Sequence, residues 1–412
     1  MTIELRVLAA EQWDLFYDRL ERAFTGPADP PEERAQWRRV TELDRTIAAW
    51  DGDELVGTAG AFTFRMTVPG GAELGVAGVT MVSVQTTHRR RGLLTSMMRR
   101  QLDDVRERGE SVAVLTASEP AIYGRFGYGI ASHQLRGTVD TTRTVLSAPE
   151  GPEGAAGVRI RLVDPTEALD ACEEVYARLV PTRPGLTARQ PGWETQRLVD
   201  PPAARGGAGP LMCALAEVDG EVRGYARYAV TPQWSPAGAD NTVNLRDIAA
   251  LDPVTYAALW RFLASIDLTA KIDFYNRPVD DPLIHLVSDV RRCAFGIRDS
   301  LHLRLVDVGA ALEARTYASP VDVVLDVQDS FCPWNTGRWR LSGDPKGASC
   351  VRTDEPAELA LSVKELGAVY LGGFSLRAMA GAGLVEELRP GALAETSAAF
   401  RSDLAPWLSH GF

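Results

Sequence analysis

The 412-residue chain has no CxxC pair, no histidines at metal-ligand spacing, and no apolar run near the roughly 20 residues needed to cross a bilayer. The five cysteines, Cys172, Cys213, Cys293, Cys332 and Cys350, are scattered and odd in number, which argues against a disulfide framework and a zinc site. They are expected to be reduced, half-buried small hydrophobes, and no metal is expected. The opening Met1 to Leu8 has no basic stretch leading into a long apolar segment, so no secretory signal and a cytoplasmic location are expected. An excess of basic charge is missing too. With 44 Lys and Arg against 55 Asp and Glu, the formal charge is -11, which argues against a nucleic-acid partner and weakly favours cationic ones.

What is present is length and alternation. At this size one hydrophobic core does not suffice, and two or three domains are expected. Apolar positions at Trp13, Phe16, Leu20 and Phe24 predict a helix, stopped by the turn-forming run Gly26 to Pro31. Residues 46–50 and 55–59 read as a hairpin around Asp51-Gly52-Asp53. Residues 75–84 read as a strand, 92–108 as a helix and 111–116 as a buried strand. The run Ser147 to Gly157 is a linker by composition. Beyond it, 243–251 and 254–266 repeat the strand-then-helix shape, with Asp252-Pro253 between them in place of arginines and glycine. From about 300 the chain reads as α+β, with strands at 301–308 and 321–327 and a turn-rich stretch at 331–348. The expected domains are 1–145, 158–298 and 299–412.

The turn between the predicted strand and helix, Gln85-Thr86-Thr87-His88-Arg89-Arg90-Arg91-Gly92, carries the chemistry. The first N–H groups of a helix have no intrahelical acceptor and the dipole favours negative charge there, so a phosphate is bound by several donors at once. Gly92 permits close backbone approach and the arginines add charge-assisted bonds. The competing reading is a solvated surface cluster. It is strained, since three cations at the positive end of a helix dipole are unfavourable until an anion arrives.

This loop resembles the pyrophosphate turn of the GNAT acetyltransferase superfamily, Arg/Gln-x-x-Gly-x-Gly/Ala, with Arg89 and Gly92 in place and Leu94 at the last position. Thr116-Ala117-Ser118-Glu119-Pro120-Ala121-Ile122-Tyr123-Gly124-Arg125-Phe126-Gly127-Tyr128-Gly129 resembles the corresponding segment of the enhanced intracellular survival (Eis) acetyltransferases. The resemblance covers the whole chain. It implies two GNAT-like domains in tandem, the second degenerate, and a C-terminal sterol carrier protein-like domain, an α/β and α+β architecture. It further implies acetyl-CoA as acyl donor, Tyr123 as general acid and the terminal carboxylate of Phe412 as general base. Cofactor contacts fall by resemblance on Val82, Ser83, Val84, Arg89, Arg90, Arg91, Gly92, Leu93, Leu94, Thr95, Ser118 and Glu119. Trp37 and Asp281 fall on positions lining the amine pocket, and a homohexamer is implied.

The expected activity is acetylation of a primary amine on a small, aminoglycoside-like cation. A polyamine or a protein lysine is an alternative acceptor, and a non-catalytic acetyl-CoA-binding regulator the alternative from another class. Taken alone, Tyr123 and Tyr128 read as packing aromatics, Trp37 as core, Asp281 as a turn residue before proline, and His88 as a strand-end cap.

Overall fold

The computed structural model describes residues 3–147, 157–236 and 238–412; the start Met1-Thr2 and most of the linker, 148–156, lie outside them. The chain opens with β1 (Ile3–Val7), α1 (Trp13–Phe24) and α2 (Pro31–Val40), then β2 (Ile47–Asp51), β3 (Glu54–Thr67), β4 (Glu73–Val84), α3 (Leu93–Glu107), β5 (Val112–Thr116) and β6 (Gly129–Ile130). The proline run ends α1 as its composition requires. Pro31, at the first helical position where its missing N–H costs nothing, then starts a helix that the sequence reading left out.

A second set follows: β7 (His133–Asp140), β8 (Arg159–Val163), α4 (Leu169–Leu179), the two-residue β9 (Thr187–Ala188), β10 (Met212–Val218), β11 (Glu221–Thr231), the small β12 (Trp234–Ser235) and β13 (Gly238–Ala239), β14 (Asn241–Ala250), α5 (Pro253–Ala264), β15 (Thr269–Arg277), α6 (Leu283–Leu286) and β16 (Gly296–Asp299). Then β17 (Leu301–Leu305) leads to the last set: α7 (Val308–Glu313), β18 (Val321–Gln328), β19 (Gly337–Asp344), β20 (Gly347–Arg352), β21 (Leu359–Ser362), α8 (Val363–Val369), α9 (Leu376–Gly381), β22 (Val385–Glu387) and α10 (Ala392–Ala399). The stretch 331–348, read as turn-rich, holds β19, whose Trp339 and Leu341 are buried.

Sheet pairing crosses the linear partition at 145 and 298. The first sheet runs β1-β2-β3-β4-β5-β17-β6 and the second β16-β7-β15-β14-β11-β10-β8. Each sheet thus takes, next to its inner parallel strand, a strand from the other: β17 pairs β5 and β6, while β7 pairs β15 and β16. A hairpin needs about two residues to reverse the chain. Only Ser300 separates β16 from β17, so the backbone continues outward into the neighbouring sheet. The crossing is pinned where the Ser300 N–H donates to the Ser132 carbonyl at 3.0 Å and the Ala131 N–H to the Leu301 carbonyl at 2.8 Å.

The third sheet, β20-β19-β18-β21-β22, shares one buried apolar cluster with the first, from Phe62, Phe64 and Val114 to Leu325, Leu361 and Tyr370. The five cysteines are buried and free, more deeply placed than expected. Among the described residues, no helix is long and apolar enough to cross a membrane and no group of His, Cys, Asp or Glu is arranged to hold a metal.

Candidate active site

The site begins at a fault in β4. Between the pairs Thr58–Ser83 and Gly60–Thr80 the register of β3 and β4 shifts, leaving Met81 and Val82 opposite Ala59 alone. Met81 takes a positive φ of 52° there, and its carbonyl accepts from the Thr58 hydroxyl at 2.7 Å. On its other side β4 pairs in parallel with β5 only through Val76, Ala77 and Gly78. Beyond Gly78 the two strands part, so among the described residues the rest of that β4 edge has no partner strand.

A cavity of about 680 Å³ opens at this parting. Val82, Ser83 and Val84 line it, together with Arg89, Arg90, Gly92, Leu93, Leu94 and Thr95 from the turn and helix start, and Ser118, Glu119 and Tyr123 beyond β5. Every cofactor-contact residue expected from the sequence lines this space except Arg91. Arg91 faces a smaller cavity beside Ile3, Leu5 and Ser96. Phe24, Thr25, Thr86, Ile122 and Arg125 line the main cavity and were not singled out from sequence.

The start of α3 is built for an anion. Arg90 and Gly92 both have positive φ, 63° and 82°, the kind of backbone in which N–H groups form an anion-binding concavity. Among the described residues no side chain caps α3, and its first turn holds no acidic residue. Among the described residues, Arg89, Arg90 and Arg91 form no ion pair. The equivalent helix of the second set is closed instead. Asp252 accepts from the Thr255 N–H at 2.8 Å and from its hydroxyl at 2.9 Å, supplying from within the chain the negative charge that α3 leaves open.

Tyr123 sits in the seven-residue 3-10 segment Pro120–Phe126. Burial, with Glu119 adding to it, pushes its phenol up to about 12. Tyr128 packs edge-on against it at 6.0 Å but is only 1% exposed, so of the two tyrosines only Tyr123 reaches the cavity. The segment is held from outside its own stretch of chain. The wholly buried Arg304, on the exchanged strand β17, donates to the Phe126 carbonyl and pairs with Asp329 of the third set at 2.5 Å. Gly127 is required at this contact: its φ is +82°, and an added Cβ would lie 1.9 Å from the Arg304 guanidinium. His88 is buried and bonded to Thr87 and Asp51, beneath the turn.

A second cavity, about 460 Å³, adjoins the first along β4 and shares Phe24 with it. Its walls include Tyr17, Glu21, Asp29, Trp37, Thr80, Met81 and Phe412. The chain end reaches here from the third set. The Phe412 ring lies 5.0 Å from that of Phe64, and the Thr116 hydroxyl donates to a terminal oxygen of Phe412 at 3.4 Å, at the parting of β4 and β5. Tyr17 donates to Asp29 at 2.6 Å, and the Asp29 N–H donates to Glu21 at 2.8 Å.

The structure does not bring Asp281 to this cavity. It is fully buried in the second set, accepting from Tyr256 at 2.5 Å, Arg277 at 2.8 Å and the Leu283 N–H at 2.9 Å, so its carboxylate serves packing there. The acidic residues that do line the cavity, Glu21 and Asp29, were missed. Tyr17, Leu20, Glu21 and Phe24 share one face of α1, and that spacing reads equally well as a core stripe.

Two acetyltransferase (GNAT) domain families match residues 4–131 and 185–305, and a sterol carrier protein domain family matches residues 308–409. Fold and matches together define a tandem GNAT N-acetyltransferase with a sterol carrier protein-like third domain. The chain is 61% identical over the full length of both chains to an uncharacterized N-acetyltransferase of Streptomyces avermitilis. It is 36% identical to the N-acetyltransferase Eis of Mycobacterium tuberculosis strain H37Ra, with 98% of each chain covered. The crystal structure of Eis1 from Mycobacterium abscessus superposes with a TM-score of 0.83 at 35% identity, covering both chains completely. The chain belongs to the Eis family of N-acetyltransferases.

Proposed function

We propose that the protein transfers the acetyl group of acetyl-CoA to a primary amine of a small, aminoglycoside-like cation. The observation that carries this reading is the meeting of two cavities at one strand parting: an anion-ready helix start on one side, carboxylates on the other, and a terminal oxygen of the chain between them.

The residues fit the donor. Backbone groups of Val82 to Val84 on the unpaired β4 edge suit the pantetheine amides, and the arginines with the α3 N–H groups suit the diphosphate. Acetyl-CoA supplies an activated thioester when bound. In this reading the Phe412 carboxylate, an α-carboxyl with an ordinary pKa of about 3.5, is ionised, attracts the ammonium and takes its proton. Glu21 and Asp29 add negative charge toward the same cation, while Trp37 and Phe412 offer aromatic faces. Tyr123 stays protonated and gives its hydroxyl proton to the departing thiolate, and the second proton that the nitrogen sheds as it becomes an amide restores the phenol. Attack is direct, with no covalent enzyme intermediate.

The test is release of free thiol from acetyl-CoA against a panel of aminoglycosides, polyamines and lysine peptides. Turnover with aminoglycosides is expected. Activity confined to peptides or polyamines would replace the acceptor, and failure of calorimetry to detect coenzyme A binding would remove the donor. Assembly as a homohexamer belongs to the same proposal, and light scattering on the purified protein measures it.

A further inference from the structure

The second sheet repeats the parting of the first. β14 and β15 pair in parallel from Asn241 to Leu245 and then separate, as β4 and β5 do after Gly78. Where the first parting opens into about 680 Å³, the second has a space of only about 10 Å³ on the side where Ser409 forms part of the wall, and beside it a separate cavity of about 430 Å³, lined by Leu245, Arg246 and Tyr275 without any C-terminal residue. The chain's own C-terminal segment closes that one side.

The contacts are specific. The Ser409 carbonyl accepts from Asn276 Nδ2 at 2.8 Å and from Arg197 Nη2, and its hydroxyl bonds Tyr176 at 2.8 Å. The Trp407 indole N–H donates to the Asn276 carbonyl at 3.1 Å. Asn276 is aimed at the segment by a break in the β15–β7 register between Phe274 and Arg277, and it holds a positive φ of 57°. A non-glycine residue kept in that region marks a constraint the surroundings enforce. From Ser409 to Phe412 is three residues, roughly 10 Å of chain. The Ser409 carbonyl, with the neighbouring His410 ring bonded to Thr187 at 3.1 Å, therefore anchors the segment and limits how far the terminal carboxylate can wander.

We propose that the parting of β14 and β15 is a clamp for the C-terminal segment, and that Asn276 and Arg197 are positioning residues that set the Phe412 carboxylate at the acyl-transfer site. The proposal rests on the reading of that carboxylate as the base. It gives the second GNAT domain, whose helix start is closed by Asp252, a task in the reaction of the first.

The test is a double-mutant cycle between Asn276→Gly and extension of the chain by one glycine after Phe412. Glycine accepts the positive φ and removes the donor, so the fold is retained. Asn276→Gly is expected to lower kcat about tenfold to hundredfold, the scale of a misplacement near 1 Å, with donor KM within about twofold. Carboxypeptidase should release Phe412 from it at least about tenfold faster than from the parent, the anchor being lost. In the extended chain the same substitution should cost nothing more. Tyr176→Phe, which leaves the backbone untouched, should act in the same direction more weakly. Parental turnover of Asn276→Gly, or losses that multiply in the double variant, would overturn the clamp. An extended chain as active as the parent would instead overturn the base reading; the clamp is then judged by carboxypeptidase alone, and release at the parental rate sinks it.

Discussion

At the scale of single residues, one half-buried and one buried side chain fix the pH behaviour. Tyr123, pushed up to about 12 by burial and then by Glu119, keeps its proton far above neutrality. Turnover should therefore show no alkaline fall between pH 7 and pH 10 from loss of the acid, and a fall centred below about pH 10, the ordinary phenol value, would contradict the assignment. Tyr123→Phe should lower kcat on the order of a hundredfold, the usual worth of general acid catalysis, with coenzyme A affinity within a factor of about two. Steady-state kinetics with calorimetry separates the two effects. His410, in the C-terminal segment, is brought down to about 3 by burial first and then by the charges of Arg197 and Arg189. Its folded form refuses a proton that the unfolded chain accepts below about pH 6.5. This histidine thus contributes stability in full above that pH and loses it as the pH falls toward 3, at up to about 1.4 kcal/mol per unit. Urea unfolding at pH 7 and pH 5 should show the drop, and His410→Gln should flatten it.

At the scale of elements, the site depends on where chain breaks fall. The β4 bulge at Met81, the turn into α3 and the 3-10 segment bearing Tyr123 each end in a conformation that few residues tolerate. Gly127→Ala meets Arg304 as well as a positive φ, and is expected to destabilise the fold by more than about 2 kcal/mol and to lower kcat by displacing Tyr123. Gly92→Ala differs: open space surrounds it, so only the φ of +82° is penalised. Its cost of about 1–2 kcal/mol should appear mainly as a fivefold to thirtyfold rise in donor KM. Thermal unfolding measured beside kinetics distinguishes them, and equal loss of stability in both would refute the contrast. The α3 turn was legible in the sequence because composition marks it: arginines, a glycine and a helix period stand together. The acceptor wall was not. Glu21 and Asp29 become neighbours only when α1 and the proline turn fold over β4, and no local period announces that. Asp281 misled for the converse reason, since an Asp-Pro pair looks the same whether it faces solvent or, as here, an Arg277 and a Tyr256 in a core.

At the scale of the whole molecule, the strand exchange makes the first domain incomplete by itself. The tandem plan could be read from repeated strand-then-helix patterns, yet the exchange could not, because 301–305 is as good a strand for the third domain as for the first. Only its partners decide, and they are Val112 to Thr116 on one side and Gly129-Ile130 on the other. A chain cut to residues 1–145 lacks β17, exposing the β5 edge and leaving Leu115, Phe126 and Tyr128 without part of their cover. It also lacks Arg304, which fixes the Tyr123 segment, and Phe412. Such a fragment is expected to aggregate or to unfold with a broad, low transition, and to turn over no substrate even where it binds coenzyme A weakly. Co-expression with 158–412 should restore one folded complex, since the exchanged strands and the shared apolar core rejoin the pieces without a covalent link between 145 and 158. Circular dichroism, size-exclusion chromatography and thiol release on the fragment and on the pair measure this. A monomeric, cooperatively folding and active fragment would mean that β17 and the chain end are dispensable to the chemistry, and that the second and third domains serve something other than completing the first.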